Sequence, residues 1–353
     1  MLTRISINNF KGISSFNTNE LGKINLLIGK NDSGKSTIME AGYFLFRELY
    51  SPPKLNEVMS RRTNLNTGPS ELWYGYKTKS NIVVKATFDK LHLCWEISLS
   101  PSGPSYFNST FHQMRLADSD NIMNIGTTSY TRGFSITQSS GRGRIENMQT
   151  DDKSKTALSI YASSLAFIDC TLKSKTDEIE AILGNIKISG NDAKFGEILN
   201  DIYGKGKEWE FIPHPENPSE RRLTFKESGH LKYFSEFGDG LRCCVGILGT
   251  AISLENTALF VEEIESHQHS GSLSKMVRHL VTIARENNLQ VFLSTHSMDV
   301  WESLHRGVYA ENESKEKEEF RCFLIERNAN TGEATAENTY DVHKITKALS
   351  GNS

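Results

Sequence analysis

Residues 29–36 are Gly29-Lys30-Asn31-Asp32-Ser33-Gly34-Lys35-Ser36, and they match the pattern G-x-x-x-x-G-K-S/T. Glycines in such a loop let the backbone turn tightly, so that successive N–H groups can point at phosphate oxygens. A lysine at the position of Lys35 reaches the β- and γ-phosphates, and a hydroxyl at the position of Ser36 binds Mg²⁺. The motif predicts a nucleoside triphosphate site; the alternative is a glycine-rich turn with a solvated lysine.

The segments on either side of this loop predict a strand before it and a helix after it. Ile24–Ile28 is an apolar run with the length of a buried strand. After Ser36, apolar residues follow at helical spacing, at Ile38, Ala41 and Phe44. The N-terminus of that helix adds positive potential to a phosphate site, which strengthens the prediction.

The chain after residue 238 alternates between helical and strand patterns. We expect helices over Leu241–Leu254 and Leu273–Glu286 and buried strands over Ala258–Val261 and Leu289–Ser294. A further strand at Cys322–Glu326 and a short terminal helix follow. Apolar strands that alternate with helices are typical of an α/β fold with a parallel sheet covered on both faces.

The middle of the chain has weaker patterns. Ile82–Val84 and Leu91–Ile97 suggest an antiparallel hairpin. Residues 101–155 are rich in Ser, Gly and Asn, and we expect them to be irregular or mobile. Helical spacing returns near Ile179–Leu183 and in Phe195–Tyr203.

Two further motifs follow predicted strands directly. Glu262 and Glu263 end the strand Ala258–Val261, where unpaired buried charge is costly. With the phosphate loop nearby, Glu262 would bind the metal through water and Glu263 would polarise the attacking water. His296 follows the next strand and could hydrogen-bond the γ-phosphate or that water. The alternatives are the start of a solvated loop for the glutamates and a capping histidine.

The stretch Ser235-Glu236-Phe237-Gly238-Asp239-Gly240 leads into a predicted helix. Its small residues and the helix N-terminus suggest a second anion site, and the alternative is an N-capped helix after a turn. One nucleotide does not need two such sites from one subunit. A dimer could place this stretch opposite the phosphate loop of its partner.

In their order along the chain, these motifs resemble the ABC-type ATPases of the RecF, SMC and OLD group. The stretch Glu262–His269 resembles the E-E-P-E-x-x-L-H-P segment of OLD-like ATPases, with Ile264 and Gln268 as departures, and Ser270 stands in place of the last proline. Thr295-His296-Ser297 is similar to their T-H-S, and Asn9-Phe10-Lys11 to their N-F-K/R opening. The resemblance covers mainly residues 1–50 and 230–326. A metal site at His267 and His269 remains an alternative, whereas the resemblance places His269 in a loop that faces a dimer partner.

The resemblance implies an α/β fold: an ABC-type P-loop ATPase head with an antiparallel β subdomain and an inserted α/β arm. Residues 1–50 and 228–340 would be two halves of one ATPase core. Residues 51–227 would form the β subdomain plus the insertion, and residues 341–353 a C-terminal helix and tail.

The resemblance also implies roles for individual residues. Two chains would form a homodimer, or a higher homo-oligomer, that sandwiches two ATP molecules with Mg²⁺. The residues Gly29 to Ser36 with Thr37 would hold ATP, and Ser36 and Glu262 would hold the metal. Ser235, Gly238 and Gly240 would contact the partner's γ-phosphate. Glu263 would be the catalytic base and His296 a switch histidine.

Within the group, the chain is most similar to stand-alone OLD-like ATPases. Long heptad repeats are lacking, and 57 residues follow His296, too few for a fused TOPRIM nuclease. Relatives of this kind commonly control a separate effector, such as a TOPRIM-type nuclease or a toxin, in antiphage defence or toxin–antitoxin systems. Two alternatives stay open: a RecF-like clamp that binds DNA in repair, and a nucleotide-binding scaffold with negligible turnover.

Composition sets limits on partners and compartment. The 40 Lys and Arg against 43 Asp and Glu leave a net charge of −3, which does not indicate DNA or a membrane surface. The basic clusters are short and predict solvated surface; they are Arg61-Arg62, Arg142 with Arg144, Lys173 with Lys175, and Arg221-Arg222. No apolar run is long enough for a transmembrane helix or signal peptide, and the five cysteines form no C-x-x-C pair. We therefore expect a cytoplasmic protein.

Overall fold

The structure is a computed structural model that describes residues 1–18, 20–50, 72–99, 106–115, 122–131, 136–140, 144–169, 176–204, 208–217, 219, 221–227, 229–306, 308–309, 314 and 318–350. The chain divides into two compact units. The first unit comprises Met1–Leu165 and Glu319–Ser353, and the second comprises Ala166–Glu318. Within the described ranges, no helix is long and apolar enough to cross a membrane.

A seven-stranded antiparallel sheet makes up much of the first unit. Its strands are β1 (Leu2–Phe10), β2 (Ile13–Thr18), β4 (Ile82–Phe88), β5 (Leu91–Leu99), β6 (Tyr106–Met114), β7 (Ile122–Thr131) and β8 (Ile136–Ser140). They lie in the order β2-β1-β4-β5-β6-β7-β8. The predicted hairpin of β4 and β5 is confirmed, with Val84 opposite Trp95.

Two helices pack against this sheet, α1 (Lys35–Tyr50) and α2 (Asp152–Ser163). Phe44 of α1 contacts Phe10 and Trp95, with ring centroids 6.1 Å and 6.5 Å apart. Phe46 lies 5.0 Å from Tyr161 of α2, again edge to face. Such aromatic contacts add to the burial of apolar surface, so α1 is anchored along its length to the sheet.

The expectation that residues 101–155 are irregular or mobile is wrong for the parts that form β6, β7, β8 and the start of α2, while residues 101–105, 116–121, 132–135 and 141–143 lie outside the described residues. Alternation with period two places Phe107, Ser109 and Phe111 on the buried face of β6. The polar residues have partners across the strands: Ser129 Oγ donates to Asn108 Oδ1 at 2.8 Å. Ser and Asn side chains therefore support pairing here, although their types alone suggest loops.

Arg144, which the sequence predicts to lie on a solvated surface, is buried in the same region. Arg144 is 2% exposed, and its Nη1 lies 3.6 Å from Oε1 of Glu48 in the last turn of α1. The prediction of a solvated basic cluster is therefore wrong for Arg144, whereas Arg221 is exposed as expected. Arg222 is partly exposed, and Arg61, Arg62, Arg142, Lys173 and Lys175 lie outside the described residues.

The first unit also contains β3 (Ile24–Ile28), β15 (Phe320–Arg327), β16 (Ala334–Asn338) and the helix α8 (Val342–Ser350). β3 and β15 run parallel, and β15 pairs with β16 in antiparallel register. All five residues of β3 are buried, as the apolar run predicts for a strand covered on both faces. β3 and the strand at the end of the chain are confirmed, while β16 is an addition.

The second unit has a parallel sheet in the order β9-β13-β14. Its strands are β9 (Ala166–Ile168), β13 (Ala258–Val261) and β14 (Gln290–Thr295). Phe260 stacks on Phe292 and Phe167, with ring centroids 4.6 Å and 6.0 Å apart. β13 and β14 are buried throughout, which confirms the predicted strands.

Helices and a small sheet complete the second unit. The helices are α3 (Thr176–Ile188), α4 (Asp192–Tyr203), α5 (Asp239–Ile252), α6 (Ser270–Glu286) and α7 (Met298–His305). A three-stranded antiparallel sheet contains β10 (Glu208–Pro213), β11 (Arg221–Glu227) and β12 (His230–Tyr233). The α/β class and the predicted helices are confirmed.

Candidate functional site

In the first unit, the loop Gly29–Ser36 joins the end of β3 to the first turn of α1, as the sequence predicts. A side chain at Gly29 would force the loop backbone to shift, since a Cβ there would lie 2.4 Å from the backbone oxygen of Ile325. Gly34 has a φ of +97°, a left-handed conformation that favours glycine. The loop backbone therefore requires glycine at both ends of the motif.

Lys35 is held against this loop. Its side chain is buried, and Nζ donates to the backbone oxygens of Gly29 at 2.8 Å and Lys30 at 2.7 Å. The Oγ of Ser33 lies 3.4 Å from the same nitrogen. A buried ammonium supported by carbonyl oxygens places a positive charge beside the loop N–H groups, where the motif predicts phosphates.

A pocket of about 840 Å³ opens beside the loop. It is lined by Gly29–Ser33, by Leu324–Ala329 at the end of β15, and by Lys344 and Lys347 of α8. Its volume lies within the range of small-molecule sites. Its lining carries charges of both signs, with Lys30, Arg327, Lys344 and Lys347 beside Asp32, Glu326 and Glu333.

Arg327 connects this pocket to the loop. The Nη1 atom of Arg327 lies 3.0 Å from Oδ2 of Asp32. The backbone of Asp32 is left-handed, with a φ of +62°. Sequence reasoning missed Arg327, Lys344 and Lys347, because these residues lie about 300 positions beyond the loop in a chain of 353 residues. No local signal marks them, and only the pairing of β15 with β3 brings Arg327 to the motif.

In the second unit, Glu262 and Glu263 follow the end of β13. Glu262 is 4% exposed, and its N–H donates to the backbone oxygen of Ile168 at 2.8 Å. The N–H of Glu263 donates to Ser294 Oγ at 3.1 Å, and Glu263 has a left-handed φ of +45°. Left-handed backbone is uncommon for a residue with a side chain and is concentrated at functional sites.

His296 lies directly after β14, in the same part of the second unit. Its backbone N–H donates to Glu265 Oε1 at 2.9 Å, and its Nδ1 lies 3.1 Å from the same oxygen. The ring is about half exposed, with a side-chain exposure of 47%. Through Glu265 and Ser294, the structure brings His296 together with the loop that carries Glu262 and Glu263.

The stretch from Ser235 to Gly240 forms a short 3₁₀ turn and then the first residues of α5. Ser235 and Gly238 are exposed, and Gly238 is the N-cap of the helix. A Cβ on Gly240 would lie 2.6 Å from the backbone oxygen of His267. The predicted helix N-terminus is therefore present, and it lies against the loop that follows Glu263.

Two side chains hold this contact in place. Gln268 Nε2 donates to the backbone oxygen of Gly240 at 2.7 Å, and Tyr203 OH donates to the same oxygen at 3.0 Å. Burial raises the pKa of Tyr203, so its hydroxyl remains a donor. Gln268, a departure from the leucine of OLD-like ATPases, thus has a polar role.

Among the described residues, no group of three or more His, Cys, Asp and Glu side chains is arranged to hold a metal.

Comparison with known proteins relates the chain to ATPases. A family model described as AAA ATPase domain, AAA_15, matches residues 1–99. An ATP/GTP phosphatase of Helicobacter pylori is 22% identical over 335 residues, which cover 87% of this chain and 88% of that protein. An uncharacterized protein of Methanocaldococcus jannaschii is 28% identical over 112 residues, covering 32% of this chain and 94% of that protein.

A solved structure shares the fold. An SMC head bound to the C-terminal winged-helix domain of ScpA matches with a TM-score of 0.54 and 12% identity, over 98% of this chain and 99% of that chain. The similarity at this identity concerns the fold. The family match over residues 1–99 and the H. pylori relative make the chain similar to ATPases, and its fold is similar to that of an SMC head.

Proposed function

We propose that the chain binds ATP at the Gly29–Ser36 loop, with Thr37 in the following turn, and hydrolyses it within a homodimer. The geometry of the loop carries this proposal: two positions require glycine, and a buried Lys35 donates to the loop backbone. The adjacent pocket has room for the remainder of the nucleotide. The H. pylori relative, named an ATP/GTP phosphatase, supports triphosphate hydrolysis.

Ser36 and Glu262 would hold Mg²⁺ in this proposal. Magnesium prefers oxygen ligands and keeps several waters, so a hydroxyl and a carboxylate suit it. The phosphate-binding loop supports the assignment, since Ser36 is at the hydroxyl position of the motif. When bound, the ion would neutralise charge on the phosphates.

Glu263 is the proposed catalytic base. In hydrolysis, a water oxygen forms a bond to the γ-phosphorus while the bond from that phosphorus to the bridging oxygen breaks. The Glu263 carboxylate would accept the proton that the water loses. His296 would contact the water or the γ-phosphate. The backbone N–H of Glu263 donates to Ser294, and that of His296 donates to Glu265. These hydrogen bonds support the proposal because they restrain the backbone at both residues.

We further propose that residues 1–50 and 228–340 act as the two halves of one ATPase core. The phosphate-binding loop lies in one half and the acidic strand end in the other, and hydrolysis as proposed needs both. Residues 51–227 would be the β subdomain and insertion, and residues 341–353 the C-terminal helix and tail.

Dimerisation would complete the ATP site. Ser235, Gly238 and Gly240 would contact the γ-phosphate of the ATP bound by the partner subunit, in a dimer or higher homo-oligomer. Their position at the start of α5, with Ser235 and Gly238 exposed, supports this role. ATP binding would then drive closure of the dimer.

The closed dimer would regulate a separate effector, a TOPRIM-type nuclease or a toxin, in the cytoplasm. This part of the proposal rests on the motif resemblance to stand-alone OLD-like ATPases, which act in antiphage defence and toxin–antitoxin systems. Co-purification of the product of an adjacent gene with the ATP-bound dimer would support it.

Two variants test the hydrolysis and dimer proposals. Lys35→Ala should lose ATP binding, measured by calorimetry. Glu263→Gln should bind ATP without turnover and accumulate as a dimer, measured by light scattering. Glu255→Gln is the matched control, since Glu255 is an exposed carboxylate just before β13. Hydrolysis by Glu263→Gln at the rate of the control would contradict the assignment of the base.

A further inference from the structure

Glu265 has a contact pattern that the proposed mechanism does not use. One oxygen, Oε1, accepts from the backbone N–H of His296 at 2.9 Å and lies 3.1 Å from Nδ1 of the same residue. The side chain of Glu265 is 12% exposed, while that of His296 is 47% exposed. A nearly buried carboxylate therefore contacts both the backbone and the ring of the proposed switch histidine.

The second oxygen of Glu265 shows that this arrangement has a cost. Oε2 is buried and has no hydrogen-bond partner among the described residues. Burial of a carboxylate oxygen without a partner is unfavourable, and a neutral side chain would avoid much of the cost. A neutral acceptor such as Gln would satisfy the backbone N–H of His296 equally well. The negative charge also faces a second atom of His296, since Oε1 lies 3.1 Å from Nδ1.

We propose that Glu265 is the positioning residue for His296, holding the ring and keeping a proton on Nδ1. A carboxylate oxygen 3.1 Å from Nδ1 would repel a lone pair there and attract an N–H. The neutral ring then has its lone pair on Nε2. With its lone pair on Nε2, His296 would accept a hydrogen bond from the attacking water at that atom. This inference rests on the proposed function.

The competing explanation is that Glu265 only stabilises the loop after β13. Under that explanation, an acceptor for the backbone N–H of His296 is sufficient, and the charge is irrelevant. Glu265→Gln separates the two explanations, because it keeps a carbonyl oxygen and removes the charge. Asp201→Asn is the matched control, since Asp201 Oδ2 lies 2.9 Å from Nε2 of His279, a pair unconnected with the site.

The kinetic test is a double-mutant cycle on the full chain, with Glu265→Gln, His296→Ala and both together. We expect Glu265→Gln to lower kcat about ten- to hundredfold with the KM for ATP nearly unchanged. The double variant should be no slower than His296→Ala alone, because Glu265 acts through His296. Asp201→Asn should keep the wild-type kcat.

The spectroscopic test is the ¹⁵N NMR spectrum of the full chain labelled at histidine, with His296→Ala used to assign the resonance. The wild-type chain should show His296 with its proton on Nδ1, and Glu265→Gln should reduce that preference. The wild-type spectrum alone keeps the inference falsifiable if Glu265→Gln does not fold.

Three results would overturn the inference: a proton mainly on Nε2 in the wild type, a kcat of Glu265→Gln equal to that of Asp201→Asn, or additive losses in the double variant. Failure of the proposed function is distinguishable from these. If Lys35→Ala retains ATP hydrolysis, the proposed nucleotide site is wrong whatever the Glu265 results. If Lys35→Ala is inactive and the cycle is additive, only the role of Glu265 is wrong.

Discussion

Replacement of Arg144 by Met should destabilise the first unit, because it leaves a carboxylate buried without its cation. Glu48 is 1% exposed, and Oε1 accepts from Tyr130 OH at 2.6 Å and Ser109 Oγ at 3.0 Å. The guanidinium of Arg144 lies 3.6 Å from the same oxygen and 4.7 Å above the ring of Phe111. Met fills a similar volume and lacks the charge.

The direction follows from the pKa of Glu48, and the magnitude from the cost of breaking a buried ion pair. Burial raises the pKa of the Glu48 carboxyl from 4.5 to about 7 even though the charge of Arg144 acts in the opposite direction. Removal of Arg144 should therefore raise this pKa further. Removal of one member of a buried ion pair typically costs about 3–5 kcal/mol. We therefore expect Arg144→Met to lower the free energy of unfolding by about 4 kcal/mol at pH 8.

The loss should depend on pH in a defined direction. The folded-state pKa of Glu48 lies above its unfolded value, so its favourable contribution is complete below about pH 4.5 and is lost as the pH rises through about 7. At pH 5 the carboxyl in Arg144→Met is protonated and needs no cation. The destabilisation should therefore be smaller at pH 5 than at pH 8.

Urea unfolding followed by tryptophan fluorescence measures this effect, since Trp95 Nε1 donates to Ser109 Oγ within the same cluster. The double variant Glu48→Gln with Arg144→Met should recover a large part of the loss, because Gln still offers an acceptor to Tyr130. A loss below about 1 kcal/mol at pH 8, or an equal loss at both pH values, would refute the reasoning.

Three further predictions concern the loop, the pocket and the parallel sheet. Gly29→Ala should fold but weaken ATP binding at least tenfold by calorimetry, because its Cβ would meet the backbone oxygen of Ile325 at 2.4 Å; unchanged affinity would contradict the loop geometry. Lys344→Ala with Lys347→Ala should raise the Kd for ATP severalfold, more at low salt, and leave kcat unchanged, since both residues line the pocket. Phe260→Ala should lower the free energy of unfolding by about 3–5 kcal/mol in urea titrations, because its ring is stacked between two aromatic rings; a loss below about 1 kcal/mol would argue against that packing.

Much of the fold was predictable where a signal is contained in adjacent residues. The apolar runs that became β3, β13 and β14 are buried at every position, so composition alone identifies them as strands. The loop Gly29–Ser36 is a contiguous motif, and the left-handed φ of Gly34 is a local backbone requirement. Short-range patterns therefore predicted the strand, loop and helix that carry the phosphate-binding motif.

Other features depend on partners far away in the chain. The Ser- and Asn-rich strands β6 and β7 resemble loops until each polar side chain meets its partner on the neighbouring strand, as Asn108 meets Ser129. Arg144, one of several arginines beside glycine, becomes a buried cation only because Glu48 lies opposite. Their burial depends on long-range pairing, which residue types alone do not reveal.

The candidate site divides in the same way. Residue types and spacing predicted a triphosphate loop, an acidic strand end and a strand-end histidine, because each motif is short and follows an apolar run. The contact between Glu265 and His296, and that between Arg327 and Asp32, came from tertiary structure. Two side chains that are remote in sequence come into contact only when strands pair and the packing excludes particular carboxylates from water. A local sequence pattern therefore does not predict such contacts.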